Sequence, residues 1–164
     1  MIYLDYDGVV GDTEIGLFDG LYEQRKRRPT LTKVEYLVAF DWRSWLRKSG
    51  PKRDAFRILK SHDPDNASIL TRCWSASEAK EKILYIRENG IENAIIIVPC
   101  ELPKTKIVRA KGNILVEDQI GNIIDWQREG GIGLMLADTA FEECESIKTI
   151  EEAFCFEKRL RGLE

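Results

Sequence analysis

The residues best placed to do chemistry are two carboxylates at the start of the chain, Asp5 and Asp7, in Ile2-Tyr3-Leu4-Asp5-Tyr6-Asp7-Gly8-Val9-Val10. The apolar residues before them read as a strand. Its period-two geometry sends both acids the same way, and Gly8 permits a tight exit. One acid of such a pair can be a nucleophile and its neighbour a proton donor. Two like charges this close are costly unless they share a cation or one is protonated. The plainer reading is an acidic turn, since Asp and Gly are ordinary turn residues.

Further candidates stand at the ends of other apolar runs. Thr71 closes Ser68-Ile69-Leu70-Thr71, although Thr also favours strands and caps on its own account. Lys104 and Lys106 lie in Pro103-Lys104-Thr105-Lys106, where a solvated surface is the usual place for lysine. Glu117 and Asp118 follow Asn113-Ile114-Leu115-Val116. Adjacent acids ending an apolar strand are poor core residues.

The elements that must position these residues alternate. Runs at 68–71, 94–98, 113–116 and 133–136 have the continuous apolar character of strands buried on both faces. Residues 75–89 open on Ser75-Ala76-Ser77-Glu78 and place Ala79, Ile83, Leu84 and Ile86 at helical spacing before Gly90. Shorter helices are expected over 120–129 and 147–160. This alternation predicts an α/β, Rossmann-like parallel sheet with helices on both faces, and ligands bind beyond the carboxyl ends of such strands. Residues 14–62 interrupt it with three amphipathic stretches, near 16–28, 31–48 and 51–61, broken at Pro29 and Gly50-Pro51. They read as a small helical cap inserted after the first strand, with 1–13 and 63–164 forming the core.

Bulk properties narrow the function classes. At 164 residues the chain can bury a proper core, and its net charge of −3 hides a segregation. Between residues 24 and 60, twelve basic residues against three acids give +9, so the remainder carries −12. A basic lobe beside an acidic one draws anionic substrates toward the gap, unless the charges merely solvate helices. Cys73, Cys100, Cys144 and Cys155 are far apart and His62 is the only histidine, so neither a zinc site nor a disulfide framework is indicated. The expected location is the cytoplasm, since the first strand begins at residue 2 without a leader and no apolar run reaches membrane-spanning length.

The stretch Asp5-Tyr6-Asp7-Gly8-Val9-Val10-Gly11-Asp12-Thr13 resembles the first signature of haloacid dehalogenase-like (HAD) phosphohydrolases. The other elements of that family follow in order: Thr71, a lysine, then the Glu117-Asp118 pair. The order argues against a receiver domain, in which the acidic pair comes first. The resemblance implies that Asp5 attacks phosphorus and Asp7 serves as acid and then base. It further implies that Thr71 and a lysine hold the phosphate, and that Mg²⁺ is bound by Asp5, Asp7 through its backbone carbonyl, and Glu117, Asp118 or both. The Lys-Ile-Val context and the Glu-Asp-Gln-Ile-Gly-Asn segment look like the 5′-(deoxy)nucleotidase branch. That likeness favours Lys106 over Lys104 and a nucleotide as substrate. Arg72, Arg43 and Lys104 would meet the substrate, with Trp42 and Trp45 either stacking on its base or forming the core of the cap. A sugar phosphate, a phosphorylated nucleic-acid end reached through the basic cap, and a non-catalytic phosphate- or nucleic-acid-binding module are the alternatives.

Overall fold

The computed structural model describes residues 1–162. Six strands form one wholly parallel sheet: β1 (Ile2–Leu4), β2 (Ala67–Cys73), β3 (Ala94–Pro99), β4 (Ile114–Glu117), β5 (Ile132–Leu136) and β6 (Glu145–Ile147), in the order β3-β2-β1-β4-β5-β6. The first strand is therefore central. Its pairing sets Leu4 beside Ile69 of β2 and Val116 of β4, so Asp5, Thr71 and Glu117 all emerge at one end of the sheet.

Among the described residues seven α-helices accompany the sheet: α1 (Asp19–Arg25), α2 (Lys33–Val38), α3 (Trp42–Ser49), α4 (Ala55–Ser61), α5 (Ala76–Glu88), α6 (Ile120–Arg128) and α7 (Ile150–Leu160). Alternation along β1 serves both faces. Ile2 and Leu4 join Phe56, Ile58, Ile86 and Phe154 of α4, α5 and α7, whereas Tyr3 faces the other way, edge-on to Trp126 of α6. This is the expected α/β architecture, with α1 to α3 as a small helical cap after the first strand. Leu21, Leu31, Tyr36, Leu37 and Trp42 form the cap's own apolar cluster.

Several expected boundaries move for local reasons. The helix expected from residue 16 begins at Asp19, because Gly16 has a φ of 81°, outside helical space. The stretch 31–48 is two helices: Thr32 and Glu35 make a reciprocal cap for α2, and Asp41 accepts the Ser44 N–H to start α3. The third stretch of the expected cap, α4, packs its Ala55, Phe56, Ile58 and Leu59 in the sheet's core cluster, so its packing partners lie in the core. The inward residues of α5 are Glu78, Lys82, Tyr85 and Ile86, with Ile83 and Leu84 exposed. The strand β6 was not expected. No helix among the described residues is long and apolar enough to cross a membrane.

Candidate active site

Asp5 leaves β1 with its backbone N–H bonded to the Val116 carbonyl, which holds it at the junction of the two central strands. The chain then turns sharply: the Tyr6 carbonyl accepts from the N–H groups of Val10 and Gly11, and the Gly8 N–H reaches Gly11. At Gly8 the φ is 73°, and a Cβ there would fall 2.0 Å from Asp118 Oδ2. Glycine is thus required twice at this point, by the backbone and by the close approach of Asp118.

Lys104 organises the floor. Its ammonium, 4% exposed, lies 2.8 Å from Asp5 Oδ1 and 3.1 Å from Glu117 Oε1. Lys106, expected in this position, is exposed instead. Residues 104–106 form a single 3₁₀ turn, and at three residues per turn two positions two apart point to different sides. Pro103 begins that turn, and Lys104 is the one aimed inward.

Glu117 is fully buried and both of its oxygens are occupied. Oε1 accepts from Lys104 and Asn122, and Oε2 from the Asp118 N–H at 3.0 Å. Burial alone would raise its pKa, but Lys104 and these donors hold it below the ordinary glutamate value. The outcome for Asp5 is the reverse: burial first, then the Glu117 charge, push its carboxyl up to about 7 despite Lys104. Asp118 is pushed up to about 10 by burial and by hydrogen bonding with Glu14.

A cation fits this cluster. Oxygens of Asp5, Glu117 and Asp118 lie within 4.8 Å of one another, and Asp118 Oδ1 is buried with no hydrogen-bond partner. Hard oxygen donors with one atom left unsatisfied are suited to an ion of the Mg²⁺ type. With Glu117 taken by donors, Asp118 and Asp5 have the oxygens to offer. The Asp7 side chain does not join them: its Oδ1 accepts from Thr13 at 2.6 Å and its Oδ2 from Lys82 at 2.5 Å. Only its backbone carbonyl is left for the ligand role the resemblance implies.

Above this floor a cavity of about 350 Å³ opens between core and cap, lined on the core side by Asp5, Asp7, Arg72 and Asn122 and on the cap side by Leu17, Phe18, Lys33 and Trp42. Arg72 is fixed by Asn122 Oδ1 at 2.8 Å. Thr71 is fully buried beneath it, at the end of β2. The expected substrate residues divide here. Arg43 is exposed and does not line the cavity. Trp45 does not line it either, and its Nε1 donates to the Thr13 carbonyl. Trp42 forms part of the wall, but it is 2% exposed and its Nε1 donates to the Leu37 carbonyl, so the ring is cap core. The accessible aromatic groups are Phe18 and Trp74, with Lys33 Nζ 4.5 Å from the first ring and 5.2 Å from the second.

Much of the basic segment is already paired at the surface, as in Arg28–Glu35, Arg47–Glu88, Lys52–Asp12 and Arg57–Asp54. Lys82 is the site residue that sequence reasoning missed. It is completely buried between Asp7 and Glu78. A signal existed, because stepping back from Ile86 by helical intervals of four reaches Lys82 and then Glu78.

No protein-family model and no curated protein matches the sequence. Solved structures do match the fold. A HAD hydrolase of family IA, variant 3, from Entamoeba histolytica superposes with a TM-score of 0.63 at 17% identity, over 92% of this chain and 93% of that one. A magnesium-bound HAD-hydrolase from Bacillus subtilis gives 0.62 at 13%, covering 94% and 96%, and a HAD-superfamily hydrolase from Ehrlichia chaffeensis gives 0.59 at 12%, covering 97% and 96%. At these identities the likeness is one of architecture: the chain folds as the HAD hydrolases do.

Proposed function

We propose that this chain is a Mg²⁺-dependent phosphatase that hydrolyses a phosphate monoester through an aspartyl-phosphate on Asp5. The observation that carries this reading is Lys104 bridging Asp5 and Glu117 at the end of the central strands, with Asp7 one alternation away facing the same cavity. The HAD hydrolases of like fold support the reaction class, and the magnesium in the Bacillus subtilis protein supports the metal.

An Asp5 oxygen attacks phosphorus and the ester P–O bond breaks, with Asp7 delivering a proton to the departing oxygen. Water, losing its proton to Asp7, then attacks the same phosphorus and releases Asp5 and inorganic phosphate. Thr71 and Lys104 hold the transferring oxygens, and Lys104 balances the charge of the nucleophile. Asp5, Asp118 and the Asp7 carbonyl would hold Mg²⁺, which would supply positive charge to screen one anion from the other.

The substrate we favour is a nucleoside monophosphate. The cavity has the volume of a small-molecule site, and its wall presents Phe18 and Trp74, which are suited to a planar base, while Arg72 faces the phosphate side. Asp5→Asn tests the reaction: the amide nearly preserves shape but is a very poor nucleophile, so Mg²⁺-dependent turnover should vanish in a folded protein. Rapid turnover by that variant would refute the nucleophile. Screening nucleotides, sugar phosphates and 5′- or 3′-phosphorylated oligonucleotides tests the substrate, with nucleotides expected first.

A further inference from the structure

Lys82 takes no part in the chemistry just set out, yet it is a fully enclosed charge beside the site. Its ammonium has no solvent exposure and sits 2.5 Å from Asp7 Oδ2, 2.7 Å from Glu78 Oε1 and 3.3 Å from Thr71 Oγ1. The rings of Tyr6 and Trp42 close the remaining sides at 5.4 and 5.7 Å. Burying a lysine costs several kcal/mol, and well-packed apolar residues often serve stability as well or better. One carboxylate would neutralise it, and Glu78, four residues back on the same helix, already does. The second carboxylate it reaches is Asp7, on a different element 75 residues away.

We infer that Lys82 is the positioning residue for Asp7, fixing the carboxylate from behind the cavity so that Oδ1, on the Thr13 side, exchanges the proton with ester or water. This rests on the acid–base role of Asp7 in the function proposed above. Thr13 lines the cavity and donates to Oδ1, whereas Lys82 lies behind the wall and holds Oδ2. Two donors on two oxygens leave the carboxylate no free rotation. The same ammonium donates to Thr71 Oγ1, whose own hydroxyl donates to the Arg72 carbonyl at 3.4 Å. Glu78 completes the arrangement by accepting the Trp74 N–H at 2.8 Å, so Asp7, Thr71 and a cavity wall are tied together by one charge network.

Removing Lys82 alone would strand Glu78, so the test pairs Lys82→Met with Glu78→Gln. The quantity to compare is kcat/KM, which reports formation of the aspartyl-phosphate, for an alkyl phosphate and for 4-nitrophenyl phosphate. The alkyl ester should lose about a hundredfold, because its leaving oxygen needs a placed proton, and the aryl ester only about threefold. Asp7→Asn should show the same split, and combining it with the Lys82/Glu78 pair should add no further loss on the alkyl ester. Equal losses on both esters, or losses that multiply with Asp7→Asn, would show a merely structural lysine and overturn the inference. Failure of the phosphatase reading is separate and is seen before Lys82 is touched, as turnover that Asp5→Asn leaves unchanged; both readings then fall.

Discussion

The floor of the site and the cap above it are both rich in charge, but they use it in opposite ways. On the floor Lys82 and Lys104 are buried, each held between two carboxylates within 3.1 Å. In the cap several of the basic residues are exposed and pair with nearby surface acids, where an ion pair contributes at most about 1 kcal/mol. The aromatic groups invert this pattern. The cap encloses Trp42 with Tyr36 and Phe40, while Phe18 and Trp74 stay on the cavity. Total charge therefore says little about where electrostatics act: the basic segment is conspicuous in composition, but the few lysines removed from water hold the carboxylates at the strand ends.

The largest expected contrast lies between the two neighbouring lysines. Lys104→Met should reduce turnover by about a hundredfold or more, since it uncovers buried Asp5 and Glu117, whereas exposed Lys106→Ala should leave it within about twofold. Steady-state kinetics on both variants checks this, and the reverse ranking would return the phosphate-facing role to Lys106.

A smaller contrast separates the two kinds of tryptophan. Trp42→Ala should destabilise the cap by roughly 3–5 kcal/mol, as deletion of a buried ring does, and should depress activity on every substrate alike. Trp74→Ala should leave the thermal midpoint nearly unchanged and raise KM for a nucleotide by the equivalent of about 1–3 kcal/mol, but not for a small base-free phosphate. Thermal melts beside Michaelis curves read both effects, and a general loss in Trp74→Ala would remove the support for a base-binding wall.

The gentlest effect concerns pH and metal. In metal-free protein the Asp5 and Asp118 carboxyls hold their protons up to about 7 and about 10, well above their ordinary value of 3.8. A folded-state pKa raised in this way favours the fold below the ordinary value and loses that contribution as pH rises through the raised one. The chelated protein should therefore melt progressively lower as pH climbs from near 4 toward 10, and added Mg²⁺ should recover more at the alkaline end. A metal-free midpoint that is flat with pH would show the acids to be satisfied without a cation.

The sheet, its helices on both faces and the strand-end carboxylates were legible because each rests on a short-range rule: continuous apolar runs, alternation within a strand, and acids that no core can accept. Thr71 and the Glu117-Asp118 pair stand where those rules put them. Lys104 against Lys106 was not legible, since the choice turns on the rotation of one 3₁₀ turn rather than on residue type. Lys82 was hidden more thoroughly. Reading α5 by apolar content alone directs Ile83 and Leu84 inward, and only the partners supplied by Asp7 and Glu78 make it favourable to bury an ammonium there. Trp42 and Trp45 were ambiguous because a stacking platform and a miniature core use the same rings.

The central place of β1 has a consequence for how the site comes into being. Asp5 is among the first residues of the chain, but the neighbours that crowd its charge arrive with β4, more than a hundred residues later. Contacts of such sequence separation form late, after most of the entropy of closing the intervening chain has been lost. During synthesis and early folding Asp5 is an ordinary hydrated carboxylate, and its repulsion with Glu117 is deferred until the sheet is nearly assembled. Cold, high-salt or cation-poor refolding should then act mainly on the last docking step, leaving the earlier helices and edge strands to form at their own pace.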